Sequence, residues 1–223
     1  MFFKPKLHLF TLFFCLSIIF FNSSCVDTLE SEELVYSNDF TEVDLKNFEN
    51  GRLFVFQGDT ILGFYHNEEV SVSVYDLPAH NILKLEVEVW IHDSWDGNPD
   101  DGINGPDYWY MKIDEDEVYR TTFSNSPCNS LFCLMQSYPN EFFRQNNPKT
   151  MALQTNLPGL CLFGTTPNYT TRYLVSKMVK HKADSVKITL GDELLQTNSP
   201  DPACDESWSV GKIELTTMVV NYN

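Results

Sequence analysis

The strongest pattern along the chain lies between Ile82 and Phe123. In ILKLEVEVWIH apolar and polar positions alternate without a break, with Leu83, Leu85, Val87, Val89 and Ile91 on one face and Lys84, Glu86, Glu88, Trp90 and His92 on the other. This is the period-2 signature of a half-buried strand. DSWDGNPDDGINGP then reads as an acidic loop, DYWYMKI as a second strand, DEDE as a tight turn and VYRTTF as a third strand. Further strands are predicted over Leu34 to Phe40, over Arg52 to Phe56 and Thr60 to Tyr65 as a hairpin around Gln57-Gly58-Asp59, and over Val70 to Tyr75, which Leu77-Pro78 ends. Tyr169 to Val179, Ser185 to Leu190 and Trp208 to Val220 complete the set. The stretch from Pro127 to Pro167 carries Pro139, Pro148 and Pro158 between them and reads as long loops with short strands. No segment shows a capped 3.6-residue apolar period, and no internal repeat is present. Roughly ten short strands with no helices between them predict an all-β fold, an antiparallel β-sandwich of jelly-roll type.

The N-terminus changes the picture first. Basic Lys4 and Lys6, an apolar run from Leu9 to Phe21, and then Asn22, Ser23 and Ser24 form a secretory signal over residues 1–24. The run is too short for a membrane-crossing helix, which needs about 20 residues. Ser23 and Ser24 lead into Cys25, and the site resembles a bacterial lipoprotein signal whose cysteine carries the lipid, although Asn22 stands where an aliphatic residue is usual. Residues 25–33 then read as an acidic tether and 34–223 as a single β-sandwich domain at the outer membrane or cell surface. With an ordinary signal peptide the protein is secreted instead.

The formal charge of the 223-residue chain is −16. Nucleic acid is excluded as a partner, because a phosphate backbone is bound through clustered Lys and Arg and no basic cluster exists. Outside the signal and Cys25 the cysteines are Cys128, Cys133, Cys161 and Cys204, which in an oxidising compartment predict two disulfides. Of the three pairings, Cys128–Cys133 with Cys161–Cys204 is favoured, since the first pair brackets a short loop and the second ties two long ones. Cys128-x₄-Cys133 lacks the second Cys or His pair that a zinc site requires.

The loop after His92 concentrates oxygen ligands: Asp93, Asp96, Asn98, Asp100, Asp101, Asn104 and Asp107, with Gly97, Gly102 and Gly105 letting the backbone fold back. That density suits Ca²⁺, which takes six to eight oxygens at about 2.3–2.6 Å. The spacing mimics an EF-hand loop only in part, because Asp101 replaces the glycine and strands flank the loop. A solvated acidic turn is the alternative. In the strand that follows, Tyr108, Tyr110 and Lys112 oppose Trp109, Met111 and Ile113. If this strand pairs with its predecessor, Trp90 and Tyr110 share a face beside His92 and Tyr108, a platform on which sugar rings could stack. The alternative buries these rings under a loop or the second sheet.

Catalytic signatures are absent. Asp114-Glu115-Asp116-Glu117 reads as a hairpin turn rather than a paired-carboxylate site, since Lys112 stands where the first acid would be. His66, His80, His92 and His181 are scattered and read as surface or capping residues. The chain is therefore not expected to be an enzyme.

Several strings occur together in order: YSNDF at 36–40, IHDSWDGN at 91–98, GPDYW at 105–109, TTFSN at 121–125, QSYP at 136–139 and DESW at 205–208. They resemble a jelly-roll domain that recurs in secreted and surface proteins of Bacteroidetes, similar in build to carbohydrate-binding modules and concanavalin-like lectins, and the likeness spans Tyr36 to Leu215. Relatives continue DESW with Gly-x-Asp-Asn, whose aspartate would be a structural cation ligand, whereas this chain has Ser209-Val210-Gly211-Lys212. Asp39, Glu206 and the 93–107 loop are then left as cation ligands. The resemblance implies a non-catalytic surface module that binds a polysaccharide or another cell-surface glycan or protein, with Ca²⁺ as a structural ion. A structural or adhesive lipoprotein is the alternative, and a concanavalin-like hydrolase the third reading.

Overall fold

A computed structural model of the protein describes residues 27–197 and 199–222. The signal at 1–24 and the lipidation site Cys25 lie outside these residues. Twelve strands are described: β1 (Thr28–Asn38), β2 (Phe48–Glu49), β3 (Leu53–Phe56), β4 (Asp59–Tyr65), β5 (Glu69–Val74), β6 (Ile82–Asp93), β7 (Tyr108–Ile113), β8 (Asp116–Thr122), β9 (Gln154–Pro158), β10 (Pro167–Lys180), β11 (Val186–Glu193) and β12 (Glu206–Asn221). One helical turn, α1 (Pro202–Asp205), precedes β12, its first turn capped by the Asp201 carboxylate on the Cys204 amide.

The strands form two antiparallel sheets that face each other as a sandwich. The larger has the order β3-β4-β12-β6-β10-β9 with β1 also paired to β12, and the smaller has the order β2-β5-β11-β7-β8. β4 and β1 share one edge of β12, β4 at Trp208–Val210 and β1 from Ile213 to Asn221. Thr28 to Glu33, expected as a solvated tether, are therefore strand, in register with Thr217 to Asn221. Its acidic side chains stay exposed while the backbone finds its partners, so polarity was a poor guide to order there.

The alternation in β6 is realised as read. Leu83, Leu85, Val87, Val89 and Ile91 are buried between the sheets against Met111, Ile113, Ile188 and Leu190 of the smaller sheet. Each such side chain contributes about 1.5–3 kcal/mol by leaving water. In β12 the inward set changes parity, Trp208 and Val210 before a bulge and Ile213 and Leu215 after it, which turns Gly211 onto the outer face. At the end of the core beside the 94–107 loop, Phe123, Tyr138 and Tyr173 pack with centroids 4.5–5.0 Å apart, flanked by Trp95.

One expected pairing does not occur. β6 lies in the larger sheet between β12 and β10, while β7 lies in the smaller one between β11 and β8, so the 94–107 loop crosses from one sheet to the other. Two sheets stand about 10 Å apart, a gap this long connection spans easily, whereas hairpin loops are usually two to five residues. The DEDE turn does join β7 to β8, with Ile113 opposite Asp116. The disulfides are Cys128–Cys133 and Cys161–Cys204, with Cα atoms 4.2 and 5.0 Å apart.

Candidate functional site

The acidic loop does not gather its side chains around one point. Asp93, with φ 63°, turns both carboxylate oxygens onto the next loop, accepting from the amides of Leu160 and Cys161 at 3.1 Å and of Phe163 at 2.9 Å. A side chain at Gly159 would collide with that carboxylate, its Cβ only 2.3 Å from Asp93 Oδ1, so the close approach requires glycine. Asp96 accepts from Ser126 Oγ at 3.1 Å, and burial pushes its carboxyl up to about 6. Asn98 joins Thr122, Ser137 and the Arg144 carbonyl in a buried network. Asp101 caps its own turn through the Ile103 and Asn104 amides, both at 2.8 Å, and Asp100 is exposed. Asp107 Oδ2 accepts from the amides of Asp96 at 2.5 Å and Gly97 at 3.1 Å.

The expected Ca²⁺ cage of Asp93, Asp96, Asn98, Asp100, Asp101 and Asp107 is thus not formed. Among the described residues no three Asp, Glu, His or Cys side chains are arranged to hold a metal ion. The reason is local: short carboxylates followed by free amides satisfy those amides first, the ordinary Asx-turn chemistry. Asp39 does the same with Thr41, far along the sheet. Glu206 is different, because α1 carries it under the loop to lie beside Asp107 with no solvent exposure.

The four residues read as an aromatic platform are divided between the two outer faces. Tyr108 and Tyr110 lie on the smaller sheet, where the Arg120 guanidinium sits 5.0 Å over each ring and Lys112 sits 5.0 Å over Tyr110. Arg120 is held there by Glu117 and Glu193, and Tyr110 donates to Glu69 at 2.8 Å. Gly191 leaves room for the Tyr110 ring, since a Cβ there would come within 2.5 Å of it. These ring faces are already covered by cations. His92 is fully buried on the larger sheet, between the Thr170 hydroxyl at 2.9 Å and the Ser209 hydroxyl at 2.6 Å, and under Phe54 and Phe56. It is neither a surface nor a capping residue. His80 and His181 are also not scattered, for their rings stack 5.0 Å apart and bond at 2.7 Å.

Burial lowers the His92 imidazole from 6.5 to about 3, so the folded protein keeps it neutral where the unfolded chain binds a proton. Stability from this group is complete above about 6.5 and is lost as pH falls toward 3, by at most about 1.4 kcal/mol per pH unit. Asp96, raised to about 6, acts in the opposite sense, losing its contribution as pH rises from 3.8. Urea unfolding at several pH values should therefore show a shallower acid-side decline in His92→Asn than in the wild type. Parallel curves would refute the assignment.

Trp90 is the member of the four that reaches a groove. Register places Arg172 of β10 directly opposite it, and the guanidinium lies 4.6 Å over the indole. Glu88 ties the two together, accepting from Trp90 Nε1 at 2.7 Å and from Arg172 Nε at 2.9 Å. Gly211 at the β12 bulge is required here, since a Cβ would lie 2.4 Å from Trp90 Nε1. Phe56, Ile61 and Trp90 form a small apolar cluster separate from the main core, packed by Phe54, Leu157 and Leu160. Above this floor is an open groove of about 370 Å³, walled by the β3–β4 turn at Asp59 and Thr60 and by Asp39 and Lys212. Glu88, Arg172 and Lys212 were not singled out from the sequence. The available signal was their place on the polar face of strands whose other face is core.

No protein-family model matches the chain, and no curated protein matches it. Among solved structures, the chain is similar to the C-terminal family 6 carbohydrate-binding module of LamC, a marine laminarinase from Zobellia galactanivorans, at 12% identity over 84% of this chain and 100% of that one, with a TM-score of 0.38. It is also similar to a carbohydrate-binding module of Cellvibrio mixtus lichenase 5A solved with cellotriose, at 8% identity over 82% of this chain and 97% of that one, with a TM-score of 0.33. At these TM-scores neither likeness bears on what the present chain binds, and its fold class, an antiparallel β-sandwich, stands on its own strand pairing.

Proposed function

We propose that the protein is a non-catalytic, exported β-sandwich, anchored through Cys25, that binds a glycan in the groove over Glu88, Trp90 and Arg172. One observation carries the reading: fixed donors and acceptors of both charges converge over a single indole in a groove large enough for a small ligand. Arg172 occupies the ring face, so recognition relies on hydroxyls bonding to Asp59, Lys212 and the free edges of the Glu88–Arg172 pair. Bonds of this charge-assisted kind contribute about 1.5–3 kcal/mol each. The DEDE turn lies outside the groove with Asp114 and Glu115 exposed, and no step of catalysis is assigned to it.

The test is a glycan array followed by calorimetry on the best binder. Arg172→Ala and Asp59→Ala should each weaken binding by roughly 10- to 100-fold. A folded protein that captures nothing from the array, or a binder indifferent to both substitutions, would dismiss the groove. A second reading, contact with a protein, is favoured by Leu131 and Phe132, which are 95% and 51% exposed within the Cys128–Cys133 ring. A protein partner recovered from intact cells by the wild type and by both groove variants but lost with Leu131→Ser would move the interaction there.

A further inference from the structure

Arg144 stands apart from the other arginines of the chain. Arg52, Arg120 and Arg172 each hold a carboxylate within 2.8 Å, on Glu68, on Glu117 and Glu193, and on Glu88. Among the described residues Arg144 has no acidic partner, and its guanidinium bonds only to the carbonyl of Phe143, at 2.9 Å. Most of its donors are therefore open, in a chain of formal charge −16. Its backbone is nevertheless fixed. The Arg144 amide donates to Ser137 Oγ at 3.1 Å and its carbonyl accepts from Asn98 Nδ2 at 2.5 Å, both partners being buried. The segment 136–146 is closed at its ends by two main-chain bonds between Gln136 and Asn146, at 2.9 and 2.8 Å. Along its length it is tied to β8, where the Tyr119 and Thr121 hydroxyls donate to the carbonyls of Pro139 and Asn140 and the Phe142 amide donates to the Arg120 carbonyl. It also reaches β10, through the Tyr138 hydroxyl on the Leu174 carbonyl and the Glu141–Lys177 ion pair. The segment is thus a strap that joins the edge of the smaller sheet to the larger one.

An open groove of about 460 Å³ lies along the strap, lined by Asn140, Glu141, Phe142, Arg144, Ser176 and Lys177. Glu141 and Lys177 offset each other, so Arg144 sets the sign of the groove. The groove over Trp90 has the opposite sign. There Asp39, Asp59 and Glu88 outnumber Arg172 and Lys212, and both of those cations are already paired. We propose that the strap groove is a second binding site, for a saccharide that carries a carboxylate or a sulfate ester. A guanidinium presents its donors as a fork that meets either anion with two parallel bonds. The rest of the lining suits a sugar, since the Asn140 amide and the Ser176 hydroxyl match hydroxyl groups and the partly exposed Phe142 ring offers an apolar face. An acidic peptide carries the same anion, but peptide partners are held mainly by apolar anchors in pockets, and this groove is open and chiefly polar. Because the strap is fixed before anything binds, association needs little ordering of the protein. The proposal does not rest on the groove over Trp90, with which it shares no residue.

The test is calorimetry with a uronate hexasaccharide, a sulfated galactose hexasaccharide, a neutral glucose hexasaccharide and hexaglutamate. At least one anionic saccharide should bind at one site per chain, with an affinity that falls as salt is raised. Arg144→Ala should weaken that binding by roughly 10- to 100-fold and leave the affinity for the neutral saccharide unchanged. Arg144→Lys keeps the charge without the fork and should fall between the two. The Arg144 side chain is exposed, so its removal leaves the main-chain bonds of the strap in place. Lys182→Ala removes an exposed cation outside the groove and should change nothing. Arg172→Ala should affect the neutral saccharide alone, which reads the two grooves separately, and the two anionic arms tell carboxylate from sulfate as the group recognised. Wild-type protein that binds neither anionic saccharide overturns the site. So does anionic binding that Arg144→Ala leaves intact or that Lys182→Ala weakens equally. Hexaglutamate bound as tightly as the better saccharide, with the same dependence on Arg144, overturns the assignment to a sugar.

Discussion

Replacing Cys204 by serine should lower stability by about 4 kcal/mol, a fall in melting midpoint of roughly 8–16 °C. Cys161 and Cys204 are 43 positions apart, so their bond removes far more freedom from the unfolded chain than does the Cys128–Cys133 bond, whose partners are 5 apart. On the same chain-entropy scale Cys133→Ser costs about 2 kcal/mol. The longer bridge also fastens the 159–163 loop to α1, and Asp93 grips that loop through three amides. Two restraints on one loop are not independent. The double variant Asp93→Ala with Cys161→Ser should lose less than the sum of the single losses. Thermal melts of the four proteins, with urea unfolding to confirm an unchanged m-value, measure this directly. Equal losses for Cys204→Ser and Cys133→Ser would contradict the account.

Asn125→Leu is the second substitution with a large effect, about 3–4 kcal/mol. Asn125 is almost fully buried where the ends of β6 and β10 meet the segment after β8, and its side-chain amide is divided among the carbonyls of Ile91, Asp93 and Tyr169 at 2.9, 3.0 and 3.2 Å. Its Oδ1 accepts from the Thr171 hydroxyl at 2.6 Å. Leucine matches the volume and supplies neither donor nor acceptor, so several polar groups are left unpaired at about 1–3 kcal/mol each, partly offset by the apolar side chain gained. Asn125→Asp keeps the bond to Thr171 and loses the donors, and it should be at least as damaging because a carboxylate would face three carbonyl oxygens. Denaturant midpoints check both. A loss below about 1 kcal/mol for Asn125→Leu would mean that those carbonyls are satisfied elsewhere.

The strands were legible because a half-buried strand prints its geometry as alternation, and β5, β6 and β11 carry it cleanly. The disulfides were legible because the ring between Cys128 and Cys133 is too short to favour other partners. Sheet membership was not, since the same alternation serves β6 and β7 whether they pair or face each other. Only the length of the acidic loop hinted at the crossing. The residues of that loop misled for a chemical reason: Asp and Asn are both cation ligands and the usual acceptors for nearby amides, and Asp93, Asp101 and most of Asp107 took the second role. Glu206 was flagged through DESW, while its burial beside Asp107 comes from α1, a single turn that no apolar period announces. Trp90 was flagged as an aromatic on a polar face, yet its groove depends on Arg172 and Gly211 from two other strands, and no local pattern announces such neighbours.

The position of β12 governs how the protein can assemble. The last strand in chain order pairs with β1, β4 and β6, the earliest of them nearly the whole chain away. Until that strand is available, β6 is flanked only by β10, and β1 and β4 have no inner neighbour, so the larger sheet is divided across its middle. Contacts this distant in sequence make folding slow, on the scale of milliseconds to seconds. The two sides of the larger sheet, β3-β4 and β6-β10-β9, are therefore joined only when the residues of β12 are available, so the sandwich closes last at its middle.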